Sequence, residues 1–200
     1  MWAVLTQQSS SLALLAAAWL SALLWVTPVW AASAPPDTDQ LAQTVPAFVV
    51  PLEQPLGFRG QSRFKFLGFE VYEATLWTTP DFTAEAVDQH TVALELQYLR
   101  SFQGKDIAKR SIQEMRRIGA FSAAQEKLWM SEMQRVFPPV RAGDRLLGLH
   151  RPGESAVFWL NGQALGDIRD PAFARLFFGI WLSPRTSAPG LRKALLGVSH

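Results

Sequence analysis

The chain has 200 residues, of which 48% are hydrophobic and 18% are charged, a composition typical of one globular domain rather than a disordered segment. Its 19 basic and 17 acidic residues give a net charge of +2 and are interspersed, which argues against the broad basic patch of a nucleic-acid-binding protein. The absence of cysteine excludes disulfides, thiolate catalysis and zinc–cysteine sites. The three histidines are far apart in sequence, so we expect no metal site and no cofactor.

An apolar run from Leu12 to Val26 dominates the N-terminal part of the chain. It is shorter than the ~20 residues that a membrane-spanning helix needs. Small residues follow it and permit cleavage after Ala31 or Ala34. We therefore predict that residues 1–34 are a signal peptide and that the protein is periplasmic or secreted. Because no Lys or Arg precedes Leu12, an uncleaved membrane anchor is the alternative.

Residues 35–55 are rich in proline and are predicted to form a linker, so the domain should span residues 56–200. The domain begins with two predicted strands between Gly57 and Trp77. Their alternating apolar residues, which indicate a half-buried sheet, are Phe64, Phe66, Phe69, Val71, Ala74 and Leu76. Arg59 stands at the head of this strand pair, where a guanidinium could hold a carboxylate or enolate at one end of an apolar pocket.

The middle of the domain changes from strand to helix. Alternation predicts a third strand over Thr91–Leu99, and helical spacing of apolar residues follows over Gly104–Ile118. A second helix is predicted after Ser122, which has capping-box spacing with Gln125.

The last third of the domain repeats this order of strands and then helices. Short strands are predicted over Leu146–His150 and Ala156–Leu160, and Asn161–Gly162 is a strong hairpin signal. A helix should begin at Asp170–Pro171 and end at Ser183–Pro184. The order of elements predicts an α+β fold in which helices cover one side of an antiparallel sheet.

Several of these segments resemble the chalcone isomerase family. The predicted strand pair, GFRGQSRFKFLGFEVYEATLW, is similar to the glycine–arginine–glycine turn and the two aromatic-rich strands of the plant members. The other similar segments are Ser101–Met115, Val157–Gly166, Phe173–Leu182 and Leu191–Leu196. The resemblance implies an open-faced β-sandwich with a ligand cleft between the sheet and the helices.

The resemblance also shows where this chain departs from the catalytic members. An arginine, a threonine, a tyrosine and an asparagine share the active site of the plant isomerases. The matching positions here hold Arg59, Leu67, Ile107 and Glu114. Three of the four have lost the group that would bind or protonate a flavonoid oxygen, so isomerase chemistry is not expected from this set.

The family's fatty-acid-binding branch and its bacterial members suggest a non-catalytic protein that binds an apolar, carboxylate-bearing small molecule such as a fatty acid. We predict that the ligand-binding residues are Arg59, Tyr72, Leu67, Ile107 and Glu114, and we name no catalytic residue. Glu114 could also pair with Arg59 and block an acidic ligand.

Two other functions are kept as alternatives. One is an isomerase or intramolecular lyase of altered specificity, with Glu114 or Tyr72 as the proton-transfer group. The other is a structural envelope protein that binds a protein partner. We expect a membrane contact only through an uncleaved leader, and the sequence does not indicate an oligomeric state.

Overall fold

A computed structural model describes residues 55–198. The predicted leader, and the predicted linker except for Pro55, lie outside the described residues. The described chain forms six strands, β1 (Gly57–Phe66), β2 (Phe69–Thr78), β3 (Val92–Tyr98), β4 (Arg145–Arg151), β5 (Ser155–Leu160) and β6 (Gln163–Ile168). It also forms four α-helices, α1 (Gly104–Ile118), α2 (Ala123–Val136), α3 (Pro171–Leu182) and α4 (Pro189–Leu195).

Within residues 55–198, the six strands form one antiparallel sheet in which neighbours in sequence are neighbours in space, from β1 to β6. Helices α1 and α2 connect β3 to β4, and α3 and α4 follow β6. This arrangement confirms the α+β fold and the open-faced sheet that the order of elements and the family resemblance implied.

Local signals explain where the helices begin. Ser122 and Gln125 form the predicted capping box at the start of α2. Asp170 caps α3 by accepting from the backbone N–H groups of Ala172 and Phe173. At the start of α1, a Cβ on Gly104 would collide with the carbonyl oxygen of Phe137, so this close approach requires glycine.

The main core lies between the sheet and the helices. Its largest fully buried side chains include Trp129, Phe158, Phe173 and Phe178. A second, smaller apolar cluster around Trp77, Leu149 and Trp159 lies on the opposite face of the sheet, as the alternation of side chains along β2, β4 and β5 requires. None of the helices in the described part of the chain is long and apolar enough to cross a membrane.

The first hairpin departs from the predicted burial pattern. Ala74 and Leu76 of β2 are fully buried, as alternation indicated, but Phe66 and Phe69 are 48% and 57% exposed. These two residues form the last pair of the β1–β2 ladder, beside the turn. Period-two alternation assigns a face of the sheet to each residue, but it does not show whether a neighbouring layer covers that end of the strand.

Candidate ligand-binding site

A cavity of about 170 Å³ opens between the sheet and helices α1 and α3. Its lining comes from β2, β3, β4, the two helices and the segment between β3 and α1. The main apolar lining residues are Leu96, Phe102, Ile107, Leu146, Phe177 and Ile180. Small-molecule sites commonly have this form, a concave apolar space with a few polar groups.

Two tyrosines lie side by side in this cavity on neighbouring strands. Tyr72 of β2 is directly opposite Tyr98 of β3 in the antiparallel register, so both side chains lie on the face covered by the helices. Their ring centroids are 6.2 Å apart in an edge-to-face arrangement. Phe64 of β1 stacks on Tyr72 with a centroid distance of 5.1 Å. Strand pairing therefore fixes the positions of both phenol groups.

The two tyrosine hydroxyls have unused hydrogen-bonding capacity. Trp181 Nε1 donates to Tyr72 Oη at 2.9 Å, which leaves the Tyr72 O–H without an acceptor in the described part of the chain. The Tyr98 hydroxyl has no hydrogen-bond partner among residues 55–198, although Tyr98 is only 4% exposed. Burial raises the pKa of both tyrosines, so both stay protonated at physiological pH. Each hydroxyl can therefore donate to an oxygen atom of a ligand.

A buried carboxylate lies at the same cavity. Glu114 is 6% exposed, and its Oε1 accepts from Arg110 Nη2 at 2.6 Å. Its Oε2 is 3.6 Å from Arg117 Nε but makes no hydrogen bond. The side chains of Arg110 and Arg117 are 53% and 60% exposed. The negative charge of Glu114 is thus balanced by two cations on the solvent side, as a buried carboxylate requires.

Three of the five predicted site residues meet at the cavity, and two do not. Tyr72, Ile107 and Glu114 line it. Arg59 lies elsewhere: its Nε donates to the carbonyl oxygen of Leu196 at 2.9 Å, and its Cζ is 5.5 Å from the Phe82 ring centroid. The structure therefore holds the Arg59 guanidinium near the end of α4, outside the cavity lining.

Leu67 also lies outside the cavity, because it belongs to a turn rather than to a strand. It is 81% exposed and has a φ angle of 49°, and Gly68 beside it has a φ angle of 81°. The family resemblance assigned Leu67 to the predicted strand pair, whereas Leu67 and Gly68 form the connection between β1 and β2. The possible pair between Arg59 and Glu114 is not formed, since Arg110 and Arg117 are the cations at that carboxylate.

The structure adds three polar residues that were not predicted as site residues. Tyr98 follows the alternation of β3 and is one of only two tyrosines in the sequence, which was a usable signal. Arg110 lies three residues after Ile107 and four before Glu114, so helical spacing places it on the same face. Trp181 had no comparable signal, because its bond to Tyr72 joins residues 109 positions apart.

The described residues offer hydrogen-bond donors and an ion pair rather than a metal centre. Among residues 55–198, no group of three or more His, Asp or Glu side chains converges in a way that could hold a metal ion. The polar groups at the cavity are the Tyr72 and Tyr98 hydroxyls, the Ser111 hydroxyl, the exposed Asp106 and the Arg110–Glu114 pair.

Comparisons with known proteins agree with this architecture. A solved structure of an Arabidopsis thaliana fatty-acid binding protein superposes with a TM-score of 0.56, covering 71% of this chain and 87% of that one at 11% sequence identity. At this identity the likeness shows the fold alone. An uncharacterized protein of Haemophilus influenzae is 28% identical over 138 residues, which are 69% of this chain and 66% of that protein, just under two thirds of its length.

The sequence itself also matches a family profile. The match to the chalcone isomerase-like family extends over residues 43–197, most of the chain. It includes residues 43–55, to which composition assigned a linker. Together with the sheet topology, this match shows that the chain belongs to the chalcone isomerase-like family.

Proposed function

We propose that the protein binds an apolar, carboxylate-bearing small molecule such as a fatty acid in the cavity, without chemical conversion of the ligand. The observation that carries this proposal is the pair of protonated hydroxyls, Tyr72 and Tyr98, at an otherwise apolar cavity. Because each hydroxyl has an unused donor, oxygen atoms of a ligand in the cavity would supply the missing acceptors. The fold shared with a fatty-acid binding protein supports this function.

The charges around the cavity favour one orientation of such a ligand. A carboxylate near the tyrosine hydroxyls would also lie near Arg110, the cation that lines the cavity. Its acyl chain would then contact Leu96, Leu146 and Phe177. Glu114 opposes a second negative charge, but its Oε1 is bonded to Arg110 and its Oε2 is closed to solvent.

The size of the cavity bears on the length of the ligand. A volume of about 170 Å³ is below the roughly 300–1,000 Å³ of typical small-molecule sites. A medium-length acyl chain therefore fits the observed cavity better than a long one. We expect decanoate to bind more tightly than palmitate when affinities are measured by calorimetry below the aggregation concentration of each acid.

Replacing the tyrosines tests this proposal directly. Tyr98→Phe and Tyr72→Phe each remove one donor while keeping the ring. A hydrogen bond to a charged group contributes about 1.5–3 kcal/mol, so decanoate affinity should fall at least about tenfold in each variant. Calorimetric titration measures the affinity, and thermal melts of the same samples show whether the fold is intact. Wild-type affinity in both variants, or no binding to the wild-type protein, would remove this function.

A second candidate function is an isomerase or intramolecular lyase of altered specificity. The observation in its favour is that the Glu114 carboxylate and the Tyr72 hydroxyl line the same apolar cavity. Proton transfer by Glu114 is disfavoured because its Oε1 is bonded to Arg110 and its Oε2 is buried. Hydroxychalcone turnover followed by absorbance is the test, and activity that disappears in Glu114→Gln would favour this candidate. The open cavity also disfavours a purely structural role.

We further propose that the chain is exported and that its first 31 or 34 residues are removed, because the apolar run at Leu12–Val26 is short and small residues follow it. N-terminal sequencing of protein from a cell-envelope fraction tests this proposal. Recovery of an intact Met1 in the membrane pellet would show an anchor instead.

A further inference from the structure

The turn between β1 and β2 presents a cluster of apolar side chains to solvent. We call residues Phe66–Phe69 the hairpin tip. Phe66, Leu67 and Phe69 are 48%, 81% and 57% exposed, and they are half of the exposed large apolar side chains in residues 55–198. Single exposed apolar residues are common, but a contiguous apolar patch on a protein surface marks a place of interaction.

The backbone conformation at Leu67 is also unusual for an exposed leucine that does not contribute to the core. Leu67 has a φ angle of 49°, a conformation that is unfavourable for leucine and common for glycine or asparagine. Leu67 is also the most exposed large apolar residue of the described chain. The fold therefore holds a leucine in a strained conformation at a position where its side chain contributes little to the core.

Two arginines lie over the aromatic rings of the hairpin tip. The Cζ atom of Arg100 is 4.5 Å from the Phe69 ring centroid, and that of Arg110 is 5.4 Å from the Phe66 ring centroid. Arg110 is also paired with Glu114, whereas Arg100 has no ion pair in the described part of the chain. The apolar tip is thus bordered by cations, one of which has no acidic partner.

The strands beside the hairpin tip carry two more cations with their own partners. Lys65 Nζ lies 3.4 Å from Glu70 Oε1. Arg63 Nη1 lies 3.0 Å from Glu70 Oε2, and Arg63 Nη2 lies 3.3 Å from Glu73 Oε2. These pairs are largely exposed and are therefore weak. Among these named residues, Arg100 is the cation that has no ion pair in the described part of the chain.

We propose that the hairpin tip docks on an anionic phospholipid bilayer. Leu67 and the two phenylalanines enter the boundary between headgroups and acyl chains, while Arg100 and Arg110 lie at the level of the anionic headgroups. Apolar residues bordered by basic ones are complementary to this surface in both polarity and charge. This route to a membrane differs from the expected contact through an uncleaved leader.

Docking at this place would bring the cavity to the membrane. Arg110 contacts Phe66 of the tip and also lines the cavity, and Val71 and Tyr72 continue β2 from the tip into the cavity lining. An apolar ligand dissolved in the bilayer would therefore have a short path into the protein. This last step depends on the proposed function, whereas docking itself does not.

A local probe tests docking on the full chain. Because the sequence has no cysteine, Leu67→Cys provides a single thiol for the environment-sensitive fluorophore NBD. We expect a blue shift and a clear gain in intensity with vesicles of equal parts phosphatidylcholine and phosphatidylglycerol, and a much smaller change with phosphatidylcholine alone. The matched control is NBD at Leu128→Cys, since Leu128 is 55% exposed on α2. No change at position 67, or an equal change at position 128, would overturn the proposal.

The fluorophore at position 67 reports binding at the hairpin tip itself, which is needed because the apolar N-terminal run could bind vesicles by itself.

The contribution of charge is tested by adding Arg100→Gln to the Leu67→Cys chain. One basic residue near an anionic surface contributes about 1 kcal/mol, so the vesicle concentration at half-maximal signal should rise about fivefold. Lys127→Gln on α2 removes a cation far from the tip and should leave this concentration unchanged. Equal effects of the two substitutions would contradict the assigned role of Arg100.

A separate titration distinguishes docking from ligand binding. Phe69→Ser should lower the vesicle response of the Leu67→Cys probe several-fold and leave decanoate affinity in solution unchanged. A vesicle response in a protein that does not bind decanoate would support docking and remove the proposed function. Decanoate binding without a vesicle response would overturn docking and leave the proposed function standing.

Discussion

The two ends of the space between the sheet and the helices differ in how aromatic residues fill it. At the packed end, Phe158 contacts Phe137 at a centroid distance of 4.9 Å and is 1% exposed. Phe177 lies between the two ends, since it contacts Phe158 at 5.3 Å and also lines the cavity. At the cavity end, Tyr72 and Tyr98 leave open space, and their hydroxyls have unused donors. The same layers thus provide stability where the rings interlock and a binding site where hydroxyls lack partners.

Truncation at the packed end should give the largest effect. Phe158→Ala removes a fully buried ring among other rings, and a large-to-small change of this kind costs about 3–5 kcal/mol. Urea denaturation of the variant and the wild type measures the loss in the free energy of unfolding. Tyr98→Phe at the cavity end serves as the contrast, with an expected change within ~1 kcal/mol, since it only removes a hydroxyl that has no partner.

This comparison fails if the two variants lose similar stability. A cost of Phe158→Ala below ~1 kcal/mol would mean that the neighbouring rings move in and fill the space left by the deleted ring. In a well-packed core the surrounding side chains fill such a space only in part. A large loss in Tyr98→Phe would mean that its hydroxyl has a structural partner.

A smaller effect on the free energy of unfolding is expected from protonation of His150 at the packed end. His150 is 2% exposed, donates from Nδ1 to the carbonyl oxygen of His90 at 3.0 Å and contacts the Phe178 ring. Burial lowers its pKa from the usual 6.5, although the His90 carbonyl and Asp88 oppose the shift. As the pH falls below 6.5, His150 is therefore protonated in the unfolded chain before it is protonated in the folded chain.

The sign of the pH dependence follows from this order of protonation. The contribution of His150 to stability is fully present above pH 6.5 and is lost as the pH falls below it, through the lowered pKa of the folded state. Urea denaturation on both sides of this pH measures the slope, and His150→Gln should flatten it. An unchanged slope in the variant would show that other groups carry the dependence. The tyrosines at the cavity end release no proton in this range, because burial raises their pKa.

The fold was predictable where local signals determine it. Helix α1 has the predicted bounds, and the capping box at Ser122 and the hairpin at Asn161–Gly162 were both visible in the sequence. Each of these signals acts within a few residues along the chain. Short connections make the β1–β2, β4–β5 and β5–β6 pairs antiparallel, whereas β3 pairs with β4 across the two intervening helices.

The site was only partly predictable, because its geometry depends on contacts that are distant in sequence. The pairing of Tyr72 with Tyr98 is set by strand register, and the bond from Trp181 to Tyr72 is set by the packing of α3. Of the predicted site residues, Tyr72, Ile107 and Glu114 lie inside regular elements, and the structure places them at the cavity. Leu67, which was matched to a position in the strand pair, lies instead in the turn between β1 and β2, and alternation along the sequence did not show where the turn begins.

The final prediction compares two arginines that make similar ring contacts and differ in location. Each lies over a phenylalanine ring, Arg59 at 5.5 Å from Phe82 and Arg110 at 5.4 Å from Phe66, but only Arg110 lines the cavity. Arg110→Ala removes the cation near the proposed carboxylate and leaves Glu114 less balanced, so decanoate affinity should fall about tenfold. Arg59→Ala should leave the affinity unchanged, as measured by the same titration.

The stability of the two variants completes this comparison. Arg59→Ala removes one hydrogen bond to the Leu196 carbonyl and one ring contact at an exposed position, so we expect a cost within ~1 kcal/mol. Thermal melts of both variants separate loss of the ligand from loss of the fold. A fall in affinity in Arg59→Ala alone would return the carboxylate anchor to the position expected from the sequence. Equal affinities in Arg110→Ala and the wild type would show that the tyrosine hydroxyls hold the carboxylate without help from this cation.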